Sequence, residues 1–130
     1  MAGMIAVDAS WVVALRDPLD AHHGAAVASN DAMGDEPALL ALVTFAECLV
    51  APAKMGVLDE AAAELRAAFD VIGPDADAAL RWAALRAETG LRLPDTIVLD
   101  VALQCHARAI ATFDGVLALR ARERGLEILG

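Results

Sequence analysis

The sequence predicts an α/β domain built on a mainly parallel central sheet. Short apolar runs alternate with longer amphipathic stretches along the whole chain, which is the pattern of strands joined through helices. Two of those runs lead almost directly into an aspartate, Asp8 and Asp114. Ligands in open α/β sheets gather beyond the carboxyl ends of the strands, where these two acids fall. The 130 residues suit one domain, and 58% hydrophobic against 22% charged residues makes a buried core easy to build.

The elements follow in order. Met4, Ile5, Ala6 and Val7 form a short apolar run ending at Asp8, as a buried strand does. Helices are expected over 10–16 and 20–33, broken at Asp17-Pro18, since the residue before a proline is biased away from helix. The run over 38–43 begins as a strand and passes into a helix that carries Glu47 and ends near Lys54. Residues 59–69 combine alanine and leucine with an acidic first turn, hence a helix. Val71-Ile72 is a short strand closed by Gly73-Pro74. A helix over 75–89 stops at Gly90, and Pro94 opens another that reaches about Ala107. A strand at 109–112, a helix over 115–124 and a strand at 126–129 complete the chain.

Several classes of function are disfavoured. No apolar run approaches the ~18 residues that cross a bilayer, and residues 1–7 lack the features of a signal peptide. A cytoplasmic protein with no membrane association is expected. Cys48 and Cys105 lie in apolar helical surroundings without a CxxC partner, so they read as free buried thiols, neither a zinc site nor a disulfide. The formal net charge is −9, from 19 acids and 10 bases, and Lys54 is the only lysine. Such a balance argues against tight nonspecific binding to phosphate backbones, which needs many cations. Metal ions held by the acids would offset part of it.

Four acids then stand out. Asp8, Asp95 and Asp114 each occupy a place where a helix cap or first-turn acid is also expected. Glu47 is different, because nearly every neighbour from Leu39 to Val50 is apolar and no base lies within a helical turn. An ionised carboxylate on an apolar face costs several kcal/mol unless something pairs with it, and a cation is a good candidate. Asp95 shares a helical stripe with Leu99, Ala102 and Leu103, whereas Asp100 falls off that direction and reads as a surface or pairing acid. Carboxylates are the hard oxygen ligands that Mg²⁺ and Mn²⁺ prefer, and such ions serve phosphodiester hydrolysis well.

The ordered set Asp8-Ala9-Ser10, Thr44-Phe45-Ala46-Glu47, Leu93-Pro94-Asp95-Thr96-Ile97-Val98 and Ala111-Thr112-Phe113-Asp114 resembles the PIN-domain nucleases. Within them it is most similar to the VapC toxins of bacterial toxin–antitoxin pairs, and the resemblance covers essentially the whole chain. It implies a three-layer sandwich with a central sheet of about four to five strands flanked by helices. It implies that Asp8, Glu47, Asp95 and Asp114 hold Mg²⁺ or Mn²⁺ as the catalytic quartet, with Ser10 and Thr112 as supporting hydroxyls. The activity implied is endoribonucleolytic, on structured RNA of the tRNA or ribosomal RNA class. A homodimer and a cognate, VapB-like antitoxin that blocks the active-site groove are implied as partners.

Other residues carry less. Arg92, just before Asp95, is the best local candidate for a phosphate contact, or else an exposed loop charge. His22 and His23 read as exposed on a polar helix, and His106 as a favourable partial charge at a helix end. Trp11 and Trp82 read as core or interface anchors. The alternatives are a catalytically inactive PIN-like binding module and a general RNA-processing nuclease without an antitoxin. A phosphoacceptor receiver would need a late lysine, and a haloacid-type phosphatase an aspartate where Ser10 stands.

Overall fold

A computed structural model describes residues 3–130. Met1 and Ala2, part of the segment read as lacking a signal peptide, lie outside the described residues. Five strands form one sheet: β1 (Ile5–Val7), β2 (Ala38–Ala41), β3 (Asp70–Ile72), β4 (Ala109–Ala111) and β5 (Glu127–Leu129). Seven helices lie between them: α1 (Ala9–Arg16), α2 (His23–Met33), α3 (Leu42–Lys54), α4 (Leu58–Ala68), α5 (Ala78–Thr89), α6 (Leu93–Gln104) and α7 (Gly115–Arg122). The strand order is β3-β2-β1-β4-β5 and every pairing is parallel. The sheet is thus wholly parallel, a stricter arrangement than the mainly parallel one expected. Among the described residues no helix is long and apolar enough to cross a membrane.

Side chains along each strand alternate between two cores, as the period of two requires. Ile5, Val7, Leu40, Ala109 and Ala111 join Trp11, Phe45, Leu65 and Phe69 on one face, from α1, α3, α4 and the strand entry that follows α4. Ala6 and Ile110 meet Val98, Leu99, Ala102, Leu117 and Ala121 on the other, from α6 and α7. Leu39 and Ala41 extend that second face against Ile97 and Val101. The result is a three-layer sandwich with β1 at its centre.

Helix α7 ends two residues earlier than expected, at Arg122, and three other helices are shorter than their composition suggests, each for a local reason. Asp17 and Asp20 accept hydrogen bonds from the backbone N–H of Leu19 and His22, so turns displace the first residues expected in α2. Asp75 does the same for the N–H of Asp77 and delays α5 to Ala78. Helix α6 stops at Gln104 because His106 turns to φ 55° and the N–H of Ala107 reaches back to the carbonyl of Ala102. Cys48 and Cys105 are free and half-buried, and burial pushes the Cys48 thiol up to about 11.

Candidate active site

The register of the sheet places the first two acids. Val7 pairs with Ala111 across β1 and β4, so the residues that follow both strands emerge at one edge. Asp8 leaves β1 with its N–H bonded to the carbonyl of Ala111. Its carboxylate caps α1 by accepting from the N–H of Trp11 at 3.0 Å. Asp114 caps α7 in the same way, accepting from the N–H groups of Val116 and Leu117. Both acids therefore serve as helix caps and still line a common cavity.

That cavity has a volume of about 80 Å³ and is bounded by Asp8, Ser10, Glu47, Arg92, Asp95 and Asp114, with Ala9, Pro94 and Val98 completing its wall. Four carboxylates from four separate segments of chain thus share one small space. Asp95 does not cap its helix. It stands in the first turn of α6, where Arg92 is the N-cap residue, and receives a hydrogen bond of 3.4 Å from the Arg92 guanidinium. Glu47 corrects an expectation: it is exposed and makes no hydrogen bond or ion pair among the described residues, so it is not a carboxylate sealed in an apolar face. The covered side of α3 at this point is that of Thr44 and Phe45 instead.

Two hydroxyls hold Asp8. Ser10 donates to Oδ1 at 2.7 Å, and Thr112 donates to Oδ2. Thr112 also accepts from the N–H of Asp114, and Ser10 from that of Phe113, so the loops after β1 and β4 are tied together through side chains. Replacing Thr112 with valine keeps its shape but strands a buried carboxylate oxygen and a backbone N–H. We expect Thr112→Val to lose about 1–3 kcal/mol of stability in urea unfolding, with Thr112→Ser recovering most of it.

Burial raises the proton affinity of Asp8, and the Thr112 and Ser10 hydroxyls only partly oppose it. Partial desolvation where its carboxylate lines the cavity raises Glu47 as well, reinforced by Asp95, and burial raises Asp95, reinforced by Asp114. Groups whose folded affinity is raised contribute stability below their ordinary values, 3.8 for Asp and 4.5 for Glu, and lose it as pH rises through the folded value. Glu36 behaves oppositely: hydrogen bonds from Arg108 hold it down to about 2, so its contribution is present above 4.5 and lost as pH falls. In metal-free buffer at about pH 7.5 a Glu47→Gln/Asp95→Asn double variant should therefore melt above the unsubstituted chain, with the gap closing toward about pH 4. A gap independent of pH would show that these acids do not carry the effect.

A much larger cavity, about 350 Å³, lies elsewhere and is mostly apolar, with Leu42, Val43, Ile72, Trp82, Ile97 and Val101 among its walls. Its two acids, Asp75 and Asp100, are both bound by Arg81, and Asp100 also receives the Trp82 indole N–H. With its carboxylates already paired, that cavity offers no free acid cluster. The carboxylate cluster lines the smaller, acidic one.

The sequence matches the family model of the PIN domain over residues 5–123. The chain belongs to the PIN-domain family. PIN domains are generally nucleases. Among solved structures the PIN chain is similar to VapC20 of Mycobacterium tuberculosis, described as a sarcin–ricin loop cleaving toxin, with a TM-score of 0.70, 21% identity, and coverage of 88% of this chain and 93% of that one. A toxin–antitoxin complex from Klebsiella pneumoniae matches with a TM-score of 0.71 at 25% identity, over 85% of this chain and 86% of that one. FitAcB from Neisseria gonorrhoeae matches with a TM-score of 0.75 at 21% identity, over 98% and 97%. No curated protein sequence matches it.

Whether the acids of this PIN domain suit a divalent ion can be judged from the donor set. Among the described residues no three His, Cys, Asp or Glu side chains converge tightly enough to form a ready-made cage. Zinc usually demands such a cage, but Mg²⁺ keeps several waters and is commonly held by one or two carboxylates together with substrate phosphates. Four oxygen donors around one small cavity, one of them braced by two hydroxyls, fit the second case. Two contacts were not foreseen from sequence. His22 is exposed as expected but its ring stacks on Phe113, whereas His23 is half-buried and bonds through Nδ1 to the carbonyl of Ala14. Only an aromatic residue directly before Asp114 could have hinted at the first of these contacts.

Proposed function

We propose that this PIN domain, a single-domain protein of the cytoplasm, is a metal-dependent endoribonuclease toxin acting on structured RNA and held in check by an antitoxin. The observation that carries the reading is the convergence of Asp8, Glu47, Asp95 and Asp114 on one cavity at the carboxyl edge of β1 and β4. These four residues would hold Mg²⁺ or Mn²⁺. When bound, such an ion lowers the pKa of a water and polarises the phosphoryl oxygen of a phosphodiester.

The chain's own groups have separable tasks. Ser10 and Thr112 fix the orientation of the Asp8 carboxylate and favour its ionised form. Desolvation at the cavity, with Asp95 and Asp8, raises the proton affinity of Glu47, and the positive charge of Arg92 opposes it. Arg92 is 78% exposed at the rim and only weakly engaged with Asp95, so its guanidinium is free to meet a backbone phosphate. Arg92→Ala should raise KM for RNA about tenfold with little change in kcat; unchanged kinetics would remove Arg92 from substrate binding.

The toxin reading draws support from the likeness to a toxin–antitoxin complex at 25% identity, and a VapB-like partner and a homodimer are part of the proposal. Purified protein incubated with total cellular RNA in Mg²⁺, Mn²⁺ or EDTA tests it. Discrete products that appear only with metal, and vanish when the antitoxin partner is added, are the expected result. Intact RNA under every condition would favour a binding module without catalysis.

A further inference from the structure

An acidic chain that binds RNA needs contacts other than charge, and the most available is stacking. The chain has two tryptophans, three phenylalanines and no tyrosine. Trp11, Phe45 and Phe69 are buried in the core, and Trp82 lines the apolar cavity away from the acids. Phe113 alone stands beside the acidic cavity, between Thr112 and Asp114, with its N–H bonded to Ser10. One side of its ring packs toward the core. His22 lies on it in parallel, with ring centres 4.4 Å apart and planes 8° from each other.

We propose that His22, stacked on Phe113, is the platform for one unpaired nucleobase of the RNA substrate, next to the phosphate that is cut. This rests on the ribonuclease reading above. His22 is exposed and Phe113 covers one face of its ring, so the proposal seats the base on the other. Its backbone is already held: its N–H donates to Asp20 Oδ1, and its carbonyl accepts from the N–H of Ala26 at the start of α2. A ring fixed before binding costs little conformational entropy when a base arrives. Core, phenylalanine, imidazole and base would form one continuous stack leading from the interior to the rim. Stacking tolerates any base but favours purines by area, so the platform sets a preference at one nucleotide and not a strict code.

Cleavage of refolded total cellular RNA in Mn²⁺, read by sequencing the products, tests this with four proteins: the unsubstituted chain, His22→Ala, His22→Leu and His22→Phe. Leucine keeps apolar packing on Phe113 but has no flat face, while phenylalanine keeps the stack without the imidazole. We expect His22→Ala and His22→Leu to raise KM about tenfold and to flatten the base preference at one position beside the cut. His22→Phe should keep both near the original values. Equal KM and unchanged preference in His22→Ala and His22→Leu would overturn the platform while leaving the ribonuclease intact. No cleavage by the unsubstituted chain would overturn the ribonuclease reading and the platform with it.

Discussion

Glu47→Gln is expected to lose at least about 100-fold of metal-dependent RNA cleavage, because loss of a residue that merely supports a metal ligand already costs about 10–100-fold. It is the cleanest test of the acidic cavity. Glu47 makes no hydrogen bond or ion pair among the described residues and lies exposed on α3, so the amide leaves the fold undisturbed. Asp8 and Asp114 cannot be used so simply, since each also caps a helix. Glutamine occupies the same space without a charge, which removes the repulsion from Asp95 and Asp8. The melting temperature should hold or rise slightly as activity falls. Activity retained within a few-fold would take Glu47 out of the metal-binding set.

Arg81→Met is expected to give the largest loss of stability with no loss of function. The Arg81 guanidinium donates to both oxygens of Asp100 at 3.0 and 3.1 Å and to both oxygens of Asp75. The Asp100 side chain is only 7% exposed, so removing Arg81 leaves a buried charge with one remaining donor, the Trp82 indole. Breaking such a pair costs about 3 kcal/mol or more, which for a chain of this size lowers the melting temperature by roughly 10 °C. Adding Asp100→Leu should restore most of the loss, since two apolar groups no longer leave a charge unpaired. RNA cleavage measured well below the melting point should match the unsubstituted chain. A parallel loss of activity would join the two cavities functionally.

Much of the architecture was legible because its signals are local. The apolar runs at β1 and β4 end close to acids, and parallel pairing then places Asp8 and Asp114 on one edge of the sheet. Pro94 marked the start of α6, and Gly90, in the left-handed region at φ 69°, marked the end of α5. Helix starts at Asp20 and Asp75 were misplaced because their side chains compete with the helix for backbone N–H groups, which hydrophobic periodicity does not register.

The environment of Glu47 was misjudged for a related reason. Apolar neighbours along the chain define faces of α3, but only packing decides which face is covered, and that is the face of Thr44 and Phe45. The link between Arg81 and Asp100 and the stack of His22 on Phe113 join different elements, so no window of sequence contains them. The four acids were conspicuous by type and spacing; their sharing of one cavity is a property of the fold.

The central claim is that Asp8, Glu47, Asp95 and Asp114 form one divalent metal centre. Electron paramagnetic resonance of Mn²⁺ titrated with purified protein measures it directly, through loss of the free-ion signal. The account predicts that the signal falls with the unsubstituted chain and persists with Asp95→Asn and with Glu47→Gln, both still folded. Equal loss of signal in all three proteins would place the ion elsewhere and contradict it.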